Sequence, residues 1–149
     1  MEIKRINLSE ADLVIRLFNK YRVFYKKVSD IDLAEQFIKT RLGSNESVIF
    51  VALDGELPVA FTQLYPKYSS VSAVKNWILN DLYVDPAYRK QGIGEALIKT
   101  AMDFAKSDGA TYVQLETAVD NYTAQSLYEG MGFQKQEPDT EFFLYRIPV

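Results

Sequence analysis

The chain contains no cysteine and no histidine. The first absence removes disulfides and any thiol nucleophile, and agrees with a reducing, cytoplasmic setting as the expected location. The second removes every Ser-His-Asp triad, Cys-His pair and imidazole general base. Thiolate and imidazole metal sites disappear with them, so only carboxylate sites for hard cations would remain, and no metal is expected. No stretch approaches the roughly 20 apolar residues of a membrane span. The opening Met1-Glu2-Ile3-Lys4-Arg5-Ile6 does not read as a secretory signal, so no membrane partner is expected. A net charge of −3 argues against nucleic acid as a partner and slightly favours cationic ones.

What is present suits one domain spanning residues 1–149, since 48 % of the residues are apolar and can bury a sizeable core. There is no internal repeat and no linker-like stretch. Ten tyrosines fit either a polar-aromatic pocket or ordinary core packing.

Glu2 to Ile6 reads as a first strand, and Ser9 as the cap of a helix with apolar positions Leu13, Leu17, Phe18, Tyr21 and Phe24 or Tyr25. Asp30 or Asp32 opens a second helix that ends near Gly43. Ser47 to Leu53 and Leu57 to about Tyr65-Pro66 read as a hairpin about Asp54-Gly55, followed by a loop from Lys67 to Val74. Trp77 to Val84 is a strand interrupted by Asn80-Asp81 and closed by Asp85-Pro86. A helix through Ile93, Leu97, Ala101 and Phe104 stops at Asp108-Gly109. Ala110 to Thr117 reads as a strand, Asn121 caps a helix to about Met131, and Phe133 to Val149 is expected to hold a final strand pair. The order β-α-α-β-β-β-α-β-α-β-β describes an α/β domain with a mixed, mostly antiparallel sheet flanked by helices.

The most informative stretch is Arg89-Lys90-Gln91-Gly92-Ile93-Gly94, a glycine turn between strand and helix. Free backbone N–H groups converge at such a turn, the helix dipole favours negative charge, and absent Cβ atoms admit a ligand. It is not a dinucleotide fingerprint, because Leu97 stands where the third glycine belongs. Nor is it a Walker loop, because Glu95-Ala96 follows Gly94 where Lys-Ser or Lys-Thr is required.

The remaining pattern, [Arg/Gln]-x-x-Gly-x-Gly, resembles the acyl-CoA signature of the GNAT superfamily of N-acetyltransferases. Asn121-x-x-Ala124-x-x-Leu127-Tyr128-Glu129-x-Met131-Gly132-Phe133 is similar to that family's second characteristic segment. The stretch Trp77 to Val84 with Thr117-Ala118-x-x-Asn121 resembles a subgroup of small histone and polyamine acetyltransferases. The resemblance implies acetyl-CoA as cosubstrate, with backbone amides of Lys90, Gln91, Gly92, Ile93, Gly94 and Glu95 meeting its pyrophosphate. Arg89 adds charge there or faces solvent. Pantetheine would pair with the strand edge at Leu82, Tyr83 and Val84, which a bulge splays from the parallel neighbour Tyr112 to Thr117. An unpaired N–H near Leu82 would then polarise the thioester carbonyl. Asn121 caps its helix and, by the resemblance, touches the cofactor.

By the same resemblance Tyr128 protonates the leaving thiolate, although its helical spacing with Ala124, Leu127 and Met131 equally suits packing. A thiol near pKa 8.5 and a phenol near about 10 make that transfer only mildly uphill. The acceptor is expected to be a small-molecule amine or a protein lysine, which must first lose a proton. Asp81, Glu116 and a water relayed through Asn80 and a tyrosine hydroxyl all stand as candidate bases. Related diamine acetyltransferases carry an acidic pair where this chain has Asn80-Asp81, so the Asn80 amide cannot be a base there and only Asp81 keeps a carboxylate to hold a cationic acceptor. Tyr25, Asn80 and Asp81 are the expected substrate contacts, with Tyr21 to Tyr25 as an aromatic wall for an ammonium group. The segment between the first two helices, Gln63-Leu64-Tyr65 and the loop after it are expected to share in acceptor selectivity. With no cysteine, acetyl transfer would proceed by direct attack in a ternary complex. A homodimer through the final strands or the sheet edge would be normal for the family. The rival reading is a non-catalytic acyl-CoA sensor or interaction module.

Overall fold

The computed structural model describes all residues from Met1 to Val149. Strands β1 (Glu2–Arg5), β2 (Val48–Asp54), β3 (Leu57–Ser69), β4 (Val74–Val84) and β5 (Val113–Gln114) form one sheet in chain order. All pairings are antiparallel except β4 with β5. With helices α1 (Asp12–Phe24), α2 (Ile31–Gly43) and α3 (Ile93–Ser107) they lie in a compact unit, Met1–Glu116. Thr117–Val149 is a second unit, which contains α4 (Tyr122–Gly130). The α/β class and the mostly antiparallel sheet are those expected. No helix is long and apolar enough to cross a membrane.

Strand alternation explains how the sheet is covered. Ile49, Val51 and Phe61 point to one face and join Val14, Leu17, Phe18 and Ile38 of α1 and α2 in a continuous core. Phe50 and Trp77 point to the other face, where both rings pack on Phe104 of α3. Leu97 and Ala101 are fully buried on α3, as its apolar spacing requires. Phe24 and Tyr25 continue the apolar spacing of α1 beyond the core and stay exposed.

Several local expectations are corrected. Ser9 does not cap α1. A 3-10 turn over Leu8–Glu10 precedes the helix, with the Asn7 amide donating to the Glu10 carboxylate and the Ser9 hydroxyl donating to Asn7. Lys67–Ser69 is not loop but the end of β3, paired with Val74–Asn76. Pro66 is tolerated there because β3 has no β2 partner beyond Leu64, and a missing N–H costs little on a free edge. Of the two residues considered for the second cap, Asp30 serves, accepting from the Leu33 amide.

The strand expected over 110–117 shrinks to two residues. The Thr111 and Tyr112 amides donate to the buried Asn76 side chain instead of a ladder. The final strand pair does not form, and residues 133–149 carry no helix or strand. Asp139 accepts from the Glu141 and Phe142 amides, so a side-chain turn consumes donors that a ladder would need.

Candidate active site

The Asn80-Asp81 interruption is a β-bulge. Gln63 pairs with Asp81 and Leu64 with Leu79, which leaves Asn80 as an extra residue on β4. Unbroken alternation would put residue 81 on the face of Trp77 and Leu79, toward α3. The inserted residue reverses that parity. Asp81 and Tyr83 therefore join Gln63 and Phe61 on the face covered by α1.

There Asp81 is buried, 4 % exposed, and its carboxylate accepts from Gln63 Nε2 and from Asn80 Nδ2. Ser47 Oγ donates to Gln63 Oε1 at 2.8 Å, which fixes the amide with its nitrogen toward the acid. The Tyr21 hydroxyl from α1 donates to the Asn80 carbonyl at 3.4 Å and also interacts with the Asp81 carboxylate. Burial pushes the Asp81 carboxyl above the usual range, against the pull of its three hydrogen-bond partners. Burial and the nearby Asp81 charge raise the Tyr21 phenol strongly and push Tyr65 up to about 12.

The bulge also ends the parallel pairing. β4 and β5 pair only at Trp77 with Val113 and Ile78 with Gln114. From Leu79 to Val84 the side of β4 away from β3 has no strand partner. That edge runs into Asp85, whose side chain accepts from the Ala87 amide, and then into the glycine turn.

Within the turn Lys90 and Gly92 both have positive φ, 63° and 79°. A lysine held there is strained, and such strain accumulates where backbone amides are turned to a purpose. Gly92 caps α3 in the left-handed region, where an L side chain is disfavoured. Gly94 is different. Its φ is ordinary, and an added Cβ would only touch Val84 Cγ2 at 3.8 Å. Nothing inside the chain requires glycine at that position. Such a cradle fits a pyrophosphate. The Arg89 side chain folds back, with Nε donating to the Val84 carbonyl and the guanidinium lying 5.7 Å from both the Phe24 and Tyr83 rings. Arg89, Phe24 and Tyr83 with Lys20, Val23 and Pro86 line a cleft of about 450 Å³. Tyr25 stands exposed beside them, its ring 5.0 Å from that of Tyr21.

In the second unit, Asn121 caps α4 as expected, its Oδ1 accepting from the Ala124 amide at 3.2 Å. Tyr128 is half-buried on α4, with its ring 6.0 Å from that of Phe133. Glu116, a candidate base, is exposed.

Residues 14–133 match the family model described as Acetyltransferase (GNAT) family. The chain belongs to the GNAT acetyltransferase family. It is an acetyltransferase that uses acetyl-CoA as cosubstrate. It is 44 % identical to an uncharacterized N-acetyltransferase of Bacillus subtilis, YhfO, over 100 % of this chain and 98 % of that one. A probable acetyltransferase of Haemophilus influenzae is 30 % identical over 96 % of each chain. The crystal structure of a probable acetyltransferase superposes with a TM-score of 0.88 at 38 % identity, covering 100 % of this chain and 98 % of the other. The aminoglycoside N-acetyltransferase AAC(6')-Iy, solved with CoA, shares the fold at a TM-score of 0.81 and 16 % identity, over 99 % and 95 % of the two chains.

Sequence reasoning picked out Asn80, Asp81, the glycine turn and the stretch Gln63-Leu64-Tyr65, but missed Ser47 and the bond from Gln63 to the acid. Neither side chain belongs to a motif. Only the β3–β4 register brings Gln63 to the acid, and alternation alone would have turned Asp81 the other way.

Proposed function

We propose that this acetyltransferase acts on a primary amine, which attacks the acetyl-CoA thioester directly in one ternary complex. The observation that carries the reading is the parting of β4 from β5 just before a turn with two positive-φ residues. An unpaired strand edge can hydrogen-bond the two amides of pantetheine as an added strand would. The amides of Lys90 to Glu95, at the start of α3, suit a pyrophosphate. Gly94 supports this reading, because its missing Cβ serves no internal packing.

Leu82, Tyr83 and Val84 contribute backbone to this site, and an unpaired N–H near Leu82 stabilises negative charge on the carbonyl oxygen. Arg89 supplies charge at the turn with the guanidinium nitrogens that Val84 does not engage. Asn121 contacts the cofactor and Tyr128 protonates the departing thiolate, roles that rest on the likeness of their segment to the family's. Direct attack follows from the absence of any cysteine to carry an acetyl group. The exposed aromatic side chains Phe24 and Tyr25, with Asn80 and Asp81 close to Tyr21, suit an ammonium-bearing acceptor, either a small molecule or a protein lysine. The whole chain is read as one acetyltransferase domain working in the cytoplasm.

The test is free-thiol release from acetyl-CoA with spermidine, lysine peptides, amino acids and aminoglycosides, for the wild type and Tyr128→Phe. Amine-dependent release that falls sharply in the variant supports the reading. Tight acetyl-CoA binding without release on any amine favours the sensor.

A further inference from the structure

The geometry points to Asp81 as the general base of this transfer, reached from the acceptor amine through the Tyr21 hydroxyl. The inference rests on the amine-transfer reading above. Asp81 itself is out of reach, since only 4 % of it is exposed. Two groups of its network come toward the surface, the half-buried Tyr21 and the exposed Asn80. The Asn80 amide nitrogen donates to Asp81 and has no lone pair to take a proton. The Tyr21 hydroxyl can both accept and donate, so it is the member that can pass a proton inward.

The surroundings hold this relay in place. The Tyr21 ring packs edge-on against Phe61, Tyr83 and Tyr25 at 5.8, 6.4 and 5.0 Å. Gln63, oriented by Ser47, occupies one carboxylate oxygen of Asp81 and Asn80 the other. The ionisable groups that face the acid are Tyr21 from α1 and Tyr65 from β3; no hydrogen bond or ion pair reaches it from α3 or β5. No cation offsets its charge. A carboxylate in that setting binds a proton more firmly than one in water, and the strongly raised Tyr21 phenol stays neutral and relays without ionising.

In the step itself, an acceptor N–H bond breaks and the proton joins the Tyr21 oxygen, while the Tyr21 proton moves to a carboxylate oxygen of Asp81. The amine is left neutral with its electron pair free. As the C–N bond forms and the C–S bond breaks, the second amine proton balances the thiolate leaving as thiol. Asp81 then returns its proton to solvent through Tyr21.

The experiment follows kcat and kcat/KM against pH with the best acceptor from the amine panel, for wild type, Asp81→Asn and Tyr21→Phe. Both variants should lose about 100-fold or more in kcat, the usual worth of a positioned base. The KM for acetyl-CoA should hold, and the acidic limb of the wild-type profile should give way to a rate climbing with the amine's own deprotonation. A folded Asp81→Asn with wild-type kcat and limb overturns the base, and a Tyr21→Phe with both unchanged overturns the relay. If Asp81→Asn does not fold, Tyr21→Phe decides, because it removes one oxygen from a half-buried side chain. A wild type that releases no thiol on any amine overturns the functional reading and this inference with it, and that failure shows without any variant.

Discussion

Gln63 on β3 and Asp81 on β4 are register partners across the sheet, and their side chains meet in a buried amide–carboxylate hydrogen bond. The pair exists because Asn80 is bulged out of the ladder instead of paired in it. The bulge thus keeps the acid on the α1 face, where unbroken pairing through Asn80 would turn it to the α3 face, and it ends the match of β4 with β5. The site's charge and its open edge share that cause.

The raised Asp81 carboxyl makes a stability prediction with a definite sign. An acid that holds its proton more firmly when folded contributes stability that is complete below its unfolded pKa and is lost as pH rises through its folded value. Asp81→Asn carries no such loss. In urea unfolding at steps from about pH 4 to about pH 8, wild type should therefore lose ground to the variant as pH rises from the ordinary aspartate value. A constant difference across that range would mean that Asp81 titrates alike in both states.

Gln63→Leu removes the donor to Asp81 and the acceptor for Ser47 together. Each unsatisfied buried polar group costs about 1–3 kcal/mol, so the variant should melt well below wild type at neutral pH. The deficit should narrow in acid, where a protonated Asp81 needs its partner less. Thermal melts at two pH values check this.

Deleting Asn80 should close the bulge and set Asp81 directly after Leu79, still opposite Gln63 on the α1 face. The deletion removes the Asn80 donor to the buried carboxylate, and a hydrogen bond to a charged group contributes about 1.5–3 kcal/mol, so stability should fall by about that much without loss of the fold. Denaturation compared with Asn80→Ala, which loses the same donor but keeps the bulge, separates the effect of the bulge from that of the side chain.

Gly92→Ala and Gly94→Ala should part company. At Gly92 an alanine must take φ near 79°, costing about 1–2 kcal/mol of stability. At Gly94 the backbone is helical and the Cβ has room, so stability should hold or rise slightly. Acetyl-CoA affinity, measured by calorimetry, should nevertheless fall about tenfold or more for Gly94→Ala, a loss of about 1.4 kcal/mol.

Much of this was legible in the sequence. The spacing of Leu97 and Ala101 gave α3, the Asp54-Gly55 turn gave the β2–β3 hairpin, and Asp30 and Asn121 announced their helices. Misreadings arose where a side chain outcompeted the ladder. Asn76 takes the Thr111 and Tyr112 amides and shortens β5, while Asp139 takes the Glu141 and Phe142 amides at the head of the apolar run Phe142 to Tyr145 that otherwise suits a strand. The glycine turn was visible because local backbone needs are written in local residues. The Ser47–Gln63–Asp81–Tyr21 network was not, because its members lie on four separate stretches of chain and only the bulged register unites them.

The central claim is that acetyl-CoA lies along the open edge of β4 and in the turn before α3. It is tested most directly by titrating the 15N-labelled protein with CoA and following its assigned backbone amides. The account predicts that the signals of Leu82 to Val84 and Lys90 to Glu95 move together, with the largest shifts at Gly92 and Gly94. Saturating binding that leaves those amides still and moves others instead would contradict it.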